Sequence, residues 1–389
     1  MMDFSYSQDQ QDIRRAVEAI CARYDLDYWL RAENEERFPE EFYRDMVAGG
    51  FVGLTLPEEV GGAGLSIADA VVVVQAIVES GAGMNGASTI HSYIFAPNPI
   101  VVHGTPEQKA RMLPPLTDGR ERACFGISEP DTGLDTSRVK TRAEKRGSQY
   151  YVSGTKVWPT MASTADRIML LARTTPVEQC KRPIDGLSLF FARLDRDHVE
   201  TPKIAKMGRN AMESCMVYMD DMPVPAEDRI GEEGKGFYYL LDGLNPERIL
   251  VAAEAVSLGR LSIARATQYA KERTVFGRPI GQNQGVQHPL AESWMKLEAA
   301  QLMVMKAATL YDQGEPCGAE ANAAKYLAGE AGFEACTRAV AAHGGYGYAK
   351  EYHVERWLRE SMIPKLAPVS PQLVLCYIAE RVLGLPKSY

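Results

Sequence analysis

Several features that mark large classes of protein are missing from this sequence. It has no excess of positive charge, since 43 Lys and Arg face 51 Asp and Glu for a net charge of −8, whereas a nucleic-acid-binding face needs clustered cations. No run of about eighteen uninterrupted apolar residues occurs, so we expect no membrane span. The six histidines do not cluster and no His-Glu-x-x-His is present, so no metal site is predicted.

Cysteine is also scarce. The seven cysteines are scattered without a Cys-x-x-Cys spacing, which is typical of reduced, mostly buried thiols, and we therefore expect a cytoplasmic protein. What the sequence does have is a large apolar fraction, 46% of 389 residues. A chain of this length should divide into about two or three packing units.

Three regions differ in their pattern. Residues 9–116 carry apolar residues at helical spacing. Residues 124–230 contain short β-favouring runs separated by turn residues, which indicates an antiparallel sheet or barrel. Helical patterns then return, over 249–270, 287–311, 319–342 and 372–383. We therefore predict an α+β fold with an N-terminal all-α domain (1–120), a middle antiparallel β-barrel domain (121–230) and a C-terminal four-helix bundle (231–389).

An ordered set of motifs makes a more specific indication. The segment at 125–135 reads FGISEPDTGLD and is followed at 154–160 by GTKVWPT. Further segments are LPEEVGGAGL at 56–65, MGR at 207–209, ERTVFGRPI at 272–280 with Gln284, and HGGYGY at 343–348 with Arg359. Each piece alone is weak, but the ordered set, spread along essentially the whole chain, resembles the acyl-CoA dehydrogenase family.

The resemblance implies a flavoenzyme that holds FAD. On one side of the cofactor it implies contacts from Phe125, Ile127, Ser128, Gly133, Leu134, Trp158 and Thr160. Ile127 and Ser128 would meet the isoalloxazine edge, Trp158 would wall off one ring end, and Thr160 would reach the N5 region. Leu134 stands where the family usually has a phosphate-contacting Ser, which removes one hydroxyl donor. Alternatively, Trp158 and Thr160 are ordinary strand residues, since both types favour sheets.

A second set of residues would reach the flavin of a neighbouring subunit: Arg273, Phe276, Gln284, Gly344 and Gly345. The planar guanidinium of Arg273 suits a pyrophosphate, and paired glycines allow close backbone approach. The resemblance thus implies at least a homodimer and suggests a homotetramer. The alternative for Arg273 is a surface ion pair with Glu272 or Glu292.

The proton-abstracting base is the least regular feature. In most of the family it is a glutamate near the C-terminus, but that position falls on Pro368, and no acid lies between Glu360 and Glu380. A second family location, in isovaleryl-type and long-chain-type members, falls on Glu247. Glu247 is therefore the expected catalytic base, and Arg248 beside it the expected substrate contact.

Two features of the sequence offer an alternative to this assignment. Asn245, Pro246 and Glu247 also fit the N-cap, N1 and N2 positions of a new helix, where the helix dipole would lower the pKa of the acid. Pro368 has no N–H with which to polarise a thioester carbonyl.

The leading expectation is an acyl-CoA dehydrogenase that acts on an acyl-CoA and passes electrons to an electron-transferring flavoprotein. The alternatives are an acyl-CoA oxidase on the same fold and a non-catalytic acyl-CoA-binding homologue.

Overall fold

The structure is a computed structural model that describes residues 5–388. The outermost limits predicted for the domains, residues 1 and 389, lie outside this range. The first part of the chain is helical: α1 (Gln8–Cys21), α2 (Leu26–Asn34), α3 (Glu40–Ala48), α4 (Ile67–Ile77), α5 (Gly83–Ala87), α6 (His91–Phe95), α7 (Asn98–His103), α8 (Pro106–Met112) and α9 (Pro114–Thr117). Helices α1, α4 and α8 begin with capping boxes, whose N-cap residues are Ser7, Ser66 and Thr105, so paired side chains satisfy their first amides.

The middle part forms one sheet from β1 (Ala123–Gly126), β2 (Arg142–Arg146), β3 (Gln149–Thr160), β4 (Arg167–Arg173), β5 (Leu187–Arg193), β6 (Val199–Glu200), β7 (Ser214–Pro225) and β8 (Arg229–Ile230). The strand order is β6-β7-β3-β2-β4-β5-β8, with β1 beside β4. Most neighbouring strands are antiparallel, as expected. However, β1 pairs with β4 in parallel, and so does Arg142, the first residue of β2. A parallel pair needs a long connection, and the β2–β3 hairpin lies in the connection between β1 and β4.

The last part consists of α10 (Gly236–Glu272), a hairpin of β9 (Thr274–Val275) and β10 (Arg278–Pro279), α11 (Gln284–Asp312), α12 (Gly318–His343), α13 (Val354–Leu366) and α14 (Pro371–Tyr377). Helix α10 packs against α11, α12 and α13, which confirms the four-helix bundle. A close approach sets this packing, because a Cβ on Gly332 of α12 would lie 2.5 Å from the carbonyl oxygen of Ala255 in α10. The predicted α+β fold with its three regions is thus confirmed.

Two segments are long and apolar enough to cross a membrane by composition alone, Ile67–Ala87 and Val354–Val382. The first includes α4, and 78% of its apolar window is buried inside the protein, which is the behaviour of a core helix. The second is divided by the break between the end of α13 and the start of α14.

Candidate active site

A buried ion pair fixes the loop that follows β1. Lys156 Nζ on β3 donates to Glu129 Oε1 at 2.9 Å and to the carbonyl oxygen of Ile127 at 3.1 Å. Glu129 also accepts hydrogen bonds from the backbone amides of Lys140 and Thr141, at 2.7 and 2.9 Å. Burial lowers the pKa of Lys156 to about 8, with Glu129 opposing the shift. The loop is therefore held firmly against β3 by a fully satisfied pair.

The pairing of β3 with β7 is irregular near the end of β3, and such bulges are common beside functional sites. The register of β3 with β7 shifts between Val157 and Thr160, so a bulge sets Trp158 apart from the ladder. Trp158 has a φ of +73° and is 57% exposed, which is costly for a bulky residue. The carbonyl oxygen of Ser128 accepts from the amide of Val157 at 3.0 Å. Trp158 is thus not an ordinary strand residue, whereas Thr160 does pair with Ser214.

The remaining residues of the first set surround this strand end. The ring of Phe125 on β1 stands edge-on to that of Phe95, with centroids 5.7 Å apart. Gly133 and Leu134 lie in the exposed loop, and Leu134 is 59% exposed. A Cβ on Gly133 would meet no atom within 4 Å, so this loop borders open space.

Glu247 lies in the interior of α10, close to the same region. One turn before it, a Cβ on Gly243 would lie 2.8 Å from the carbonyl oxygen of Phe95, so α10 touches α6 here. Burial raises the pKa of Glu247 to about 7, Arg248 opposes this shift and Glu254 adds to it. The side chain is only partly buried, and no described group donates a hydrogen bond to it. Glu247 is therefore a desolvated but reachable carboxyl group.

The alternative helix-start position for Glu247 is wrong, because α10 begins at Gly236 rather than near Asn245. Pro246 cannot donate the hydrogen bond that a helix interior needs. The side-chain amide of Asn98 compensates by donating to the carbonyl oxygen of Asp242, at 2.9 Å. The helix therefore passes through Pro246, and no helix N-terminus lies beside Glu247 to lower its pKa.

The segment that holds the base in most of the family contains no acid here and is held by a lysine. The buried Lys325 donates to the carbonyl oxygens of Lys365 and Val369, at 3.1 and 2.6 Å. Burial lowers the pKa of Lys325 to about 8.

Arg248, beside Glu247, donates to Asn245 Oδ1 at 3.0 Å.

Of the second set, Arg273 lines a separate pocket. The Arg273 guanidinium lies 5.5 Å from the ring centroid of Tyr346. Within residues 5–388 it forms no ion pair, since Glu292 pairs instead with Arg338 and Lys296. The pocket measures about 270 Å³ and is lined by Arg265, Gln268, Tyr269, Glu272, Arg273 and Tyr352. The alternative for Arg273, a surface ion pair with Glu272 or Glu292, is thus not formed among the described residues.

Phe276 stands at the tip of the β9–β10 hairpin and is 99% exposed. It and Gly277 both have positive φ, +53° and +76°, as a two-residue hairpin turn requires. Gln284 begins α11 at the surface, and a Cβ on Gly344 or Gly345 would meet nothing within 4 Å. In the described part of the chain, no hydrogen bond, ion pair or ring contact joins this set to the first.

The structure also brings together a group of polar residues that was not predicted, which we call the deep polar cluster: Ser88, His91, Arg209 and Glu254. His91 Nδ1 lies 2.7 Å from Glu254 Oε1. Arg209 donates to Ser88 Oγ at 3.0 Å and to Thr160 Oγ1 at 3.3 Å. Its members come from three segments that are far apart in sequence. Local sequence pattern therefore could not predict the cluster, although Arg209 belongs to the MGR motif.

Three family models together match most of the chain: the acyl-CoA dehydrogenase N-terminal domain at 7–120, the middle domain at 124–222 and the C-terminal domain at 234–368. The chain belongs to the acyl-CoA dehydrogenase family. Acyl-CoA dehydrogenase FadE12 of Mycobacterium tuberculosis is 35% identical over 397 residues, covering 100% of both chains. The caffeyl-CoA reductase–Etf complex subunit CarC of Acetobacterium woodii is 33% identical, over 92% of this chain and 94% of that one.

Solved structures agree with the family. The glutaryl-CoA dehydrogenase complex with glutaryl-CoA superposes with a TM-score of 0.94 at 30% identity, covering 100% of this chain and 98% of the other. PigA with FAD and proline gives a TM-score of 0.92 at 25% identity, over 99% and 100%. The chain is thus a flavin-dependent oxidoreductase whose cofactor is FAD. The outward Trp158 and the open space beside Gly133 leave room for a large planar cofactor at the end of β3.

Proposed function

We propose that this enzyme dehydrogenates an acyl-CoA thioester between Cα and Cβ, with Glu247 as the base and Arg248 contacting the substrate. The observation that carries the proposal is the setting of Glu247, a partly accessible carboxyl group whose pKa is raised to about 7. A base with a pKa near the working pH combines the correct protonation state with enough basicity. The stretch between Glu360 and Glu380, which contains Pro368, has no acid that could serve as the base instead.

In the proposed reaction, Glu247 removes a proton from Cα and keeps it on its carboxyl group. FAD, held by the first set of residues, would supply the electron sink for the hydride that leaves Cβ, and the product would be a 2-enoyl-CoA. The thioester oxygen gains negative charge and needs a donor. Pro368 cannot serve, but the amides of Val369 and Ser370 donate no backbone hydrogen bond within the described residues, and we assign this role to one of them.

The cofactor site is proposed to be completed by a second copy of the chain. The first set of residues, Phe125 to Thr160, would hold the isoalloxazine, and the second set would reach it from the neighbour. Support comes from the separation of the two sets within one chain and from the fully exposed Phe276. We therefore propose a homodimer, or a homotetramer of paired dimers.

This arrangement predicts that Phe276→Ala weakens FAD retention about tenfold without unfolding the subunit, because the exposed ring contributes only to the neighbour's site. FAD content after gel filtration, and the mass of the assembly, measure the effect. Val275→Ala on the same hairpin is the matched control. Full FAD retention in the Phe276→Ala protein would contradict the shared site.

We propose that the electrons pass to an electron-transferring flavoprotein in the cytoplasm. Support for the acceptor comes from the similarity to CarC, which is named as part of a reductase–Etf complex. Support for the compartment comes from the seven free thiols, a usage typical of reducing conditions.

Anaerobic mixing of the yellow holoenzyme with short, medium and long acyl-CoA thioesters tests the reaction. The flavin absorption should bleach, and mass spectrometry should find the thioester lighter by two hydrogens. Absence of both changes with every thioester would overturn the proposal. Readmitted air distinguishes the acceptor, since rapid reoxidation with stoichiometric hydrogen peroxide would identify an acyl-CoA oxidase instead.

A further inference from the structure

The deep polar cluster lies along α10 from the proposed base. Glu254 is two helical turns beyond Glu247, roughly 10 Å along the helix axis and on the same face. His91, which pairs with Glu254, belongs to α6, the helix that α10 touches at Gly243. Arg209 binds Thr160, the residue expected near flavin N5. An acyl chain whose Cα lies at Glu247 and which extends along α10 would therefore end at this cluster.

Two atoms of the cluster are left without partners. Arg209 is 8% exposed and Glu254 fully buried, yet Arg209 Nε and Glu254 Oε2 form no hydrogen bond. A buried donor or acceptor without a partner is unfavourable, because it has lost its hydrogen bonds to water. Burial lowers the pKa of Arg209, and of the nearby carboxyl groups Glu254 opposes this lowering most strongly. The cluster thus contains one buried N–H and one buried carboxylate oxygen that have no hydrogen-bond partner.

The backbone conformation of Arg209 supports a functional role for this cluster. Arg209 has a φ of +57°, a left-handed conformation that is uncommon for a residue with a side chain and tends to occur at functional sites. No carboxylate within ion-pair distance neutralises its guanidinium among the described residues. The strained backbone holds a buried cation against Ser88 and Thr160, rather than against a counter-ion.

We propose that Arg209 and Glu254 bind a hydroxyl group near the far end of the acyl chain, so that the preferred substrates are medium-length acyl-CoA thioesters carrying a distal hydroxyl. A hydroxyl accepts from Arg209 Nε and donates to Glu254 Oε2, satisfying both. A methyl end would leave both unpaired, whereas a carboxylate end would pair with Arg209 but leave Glu254 Oε2 without a donor, and an ammonium end would pair with Glu254 but leave Arg209 Nε without an acceptor. This inference rests on the proposed dehydrogenation and names its substrate class.

The test compares matched thioesters on the holoenzyme: octanoyl-CoA, ω-hydroxyoctanoyl-CoA and the thioester of the corresponding dicarboxylic acid, with the hexanoyl and decanoyl pairs alongside. We expect kcat/KM for flavin reduction to favour the hydroxyl compound over the plain chain by about 100-fold at the best length. The dicarboxylic compound should be poorer than the hydroxyl compound. Equal values for the plain and hydroxyl chains, or preference for the plain chain, would overturn the inference and indicate that ordered water fills the cluster.

Substitutions at Arg209 and Glu254 test whether these two residues cause the preference for the hydroxyl compound. In Arg209→Met and, separately, in Glu254→Gln, the hydroxyl-to-plain ratio should fall from about 100 to about ten or below, since one of the two bonds is lost. The ratio within one protein cancels general damage to folding or FAD binding, and Arg209→Lys should recover part of it. An unchanged ratio in both variants would overturn the inference. Failure of every thioester to reduce the wild-type flavin would instead overturn the proposed dehydrogenation, and this inference with it.

Discussion

Two regions of the molecule contain a glutamate whose pKa is raised to about 7, but the surroundings of the two carboxyl groups differ. Glu360 on α13 is fully buried and accepts from the amide of Met84 at 2.7 Å, from Asn85 at 3.0 Å and from Arg356 at 3.1 Å. Burial raises its pKa, with Arg356 opposing the shift. Glu247 on α10 is partly accessible and accepts no hydrogen bond from any described group.

The difference shows that a shifted pKa alone does not identify a catalytic base. At Glu360 the carboxyl group is fully used in joining α13 to α5, which is a structural role. At Glu247 the carboxyl group is desolvated but free to meet a substrate. Only the second combination suits proton abstraction from carbon, where both basicity and access are required.

The largest effect on stability should come from the Glu360 region. Glu360→Ala leaves the Arg356 guanidinium buried with no carboxylate and removes the acceptor for two donors, so we expect a loss of about 3–5 kcal/mol. Chemical denaturation followed by circular dichroism measures this change. Glu247→Ala is the matched control and should cost far less. Similar losses in the two variants would mean that the two carboxyl groups are equally structural.

A smaller effect of opposite sign is expected at Glu247. Its folded-state pKa, about 7, lies above the ordinary value, so its stabilising contribution is fully present below pH 4.5 and is lost as the pH rises to 7. Glu247→Gln removes this penalty and should stabilise the folded protein by about 1–2 kcal/mol at pH 8. At pH 4.5 the two proteins should melt together. Thermal melts of wild type and variant at both pH values check this, and a destabilised variant at pH 8 would refute it.

Much of this arrangement follows from the sequence, because local pattern carries it. The order of helical and β regions depends on neighbouring residues, whereas the cofactor role predicted for Phe125 to Thr160 came from the resemblance of whole motifs to a family. The start of α10 was missed because a distant residue, Asn98, replaces the hydrogen bond that Pro246 cannot make. The pairing of His91 with Glu254 joins residues 163 positions apart, which no local spacing reveals. Likewise, the parallel pairing of β1 with β4 depends on where a long connection returns.

The proposed reaction depends most directly on Glu247 as the catalytic base. The measurement is the rate of anaerobic flavin reduction by an acyl-CoA in stopped flow, compared between wild type, Glu247→Gln and Asp242→Asn, the last being the same chemical change on the same helix. We expect Glu247→Gln to be slower by about 10³-fold or more with FAD still bound, and Asp242→Asn to reduce within about threefold of wild type. Reduction of the Glu247→Gln flavin at the wild-type rate would show that another group removes the proton.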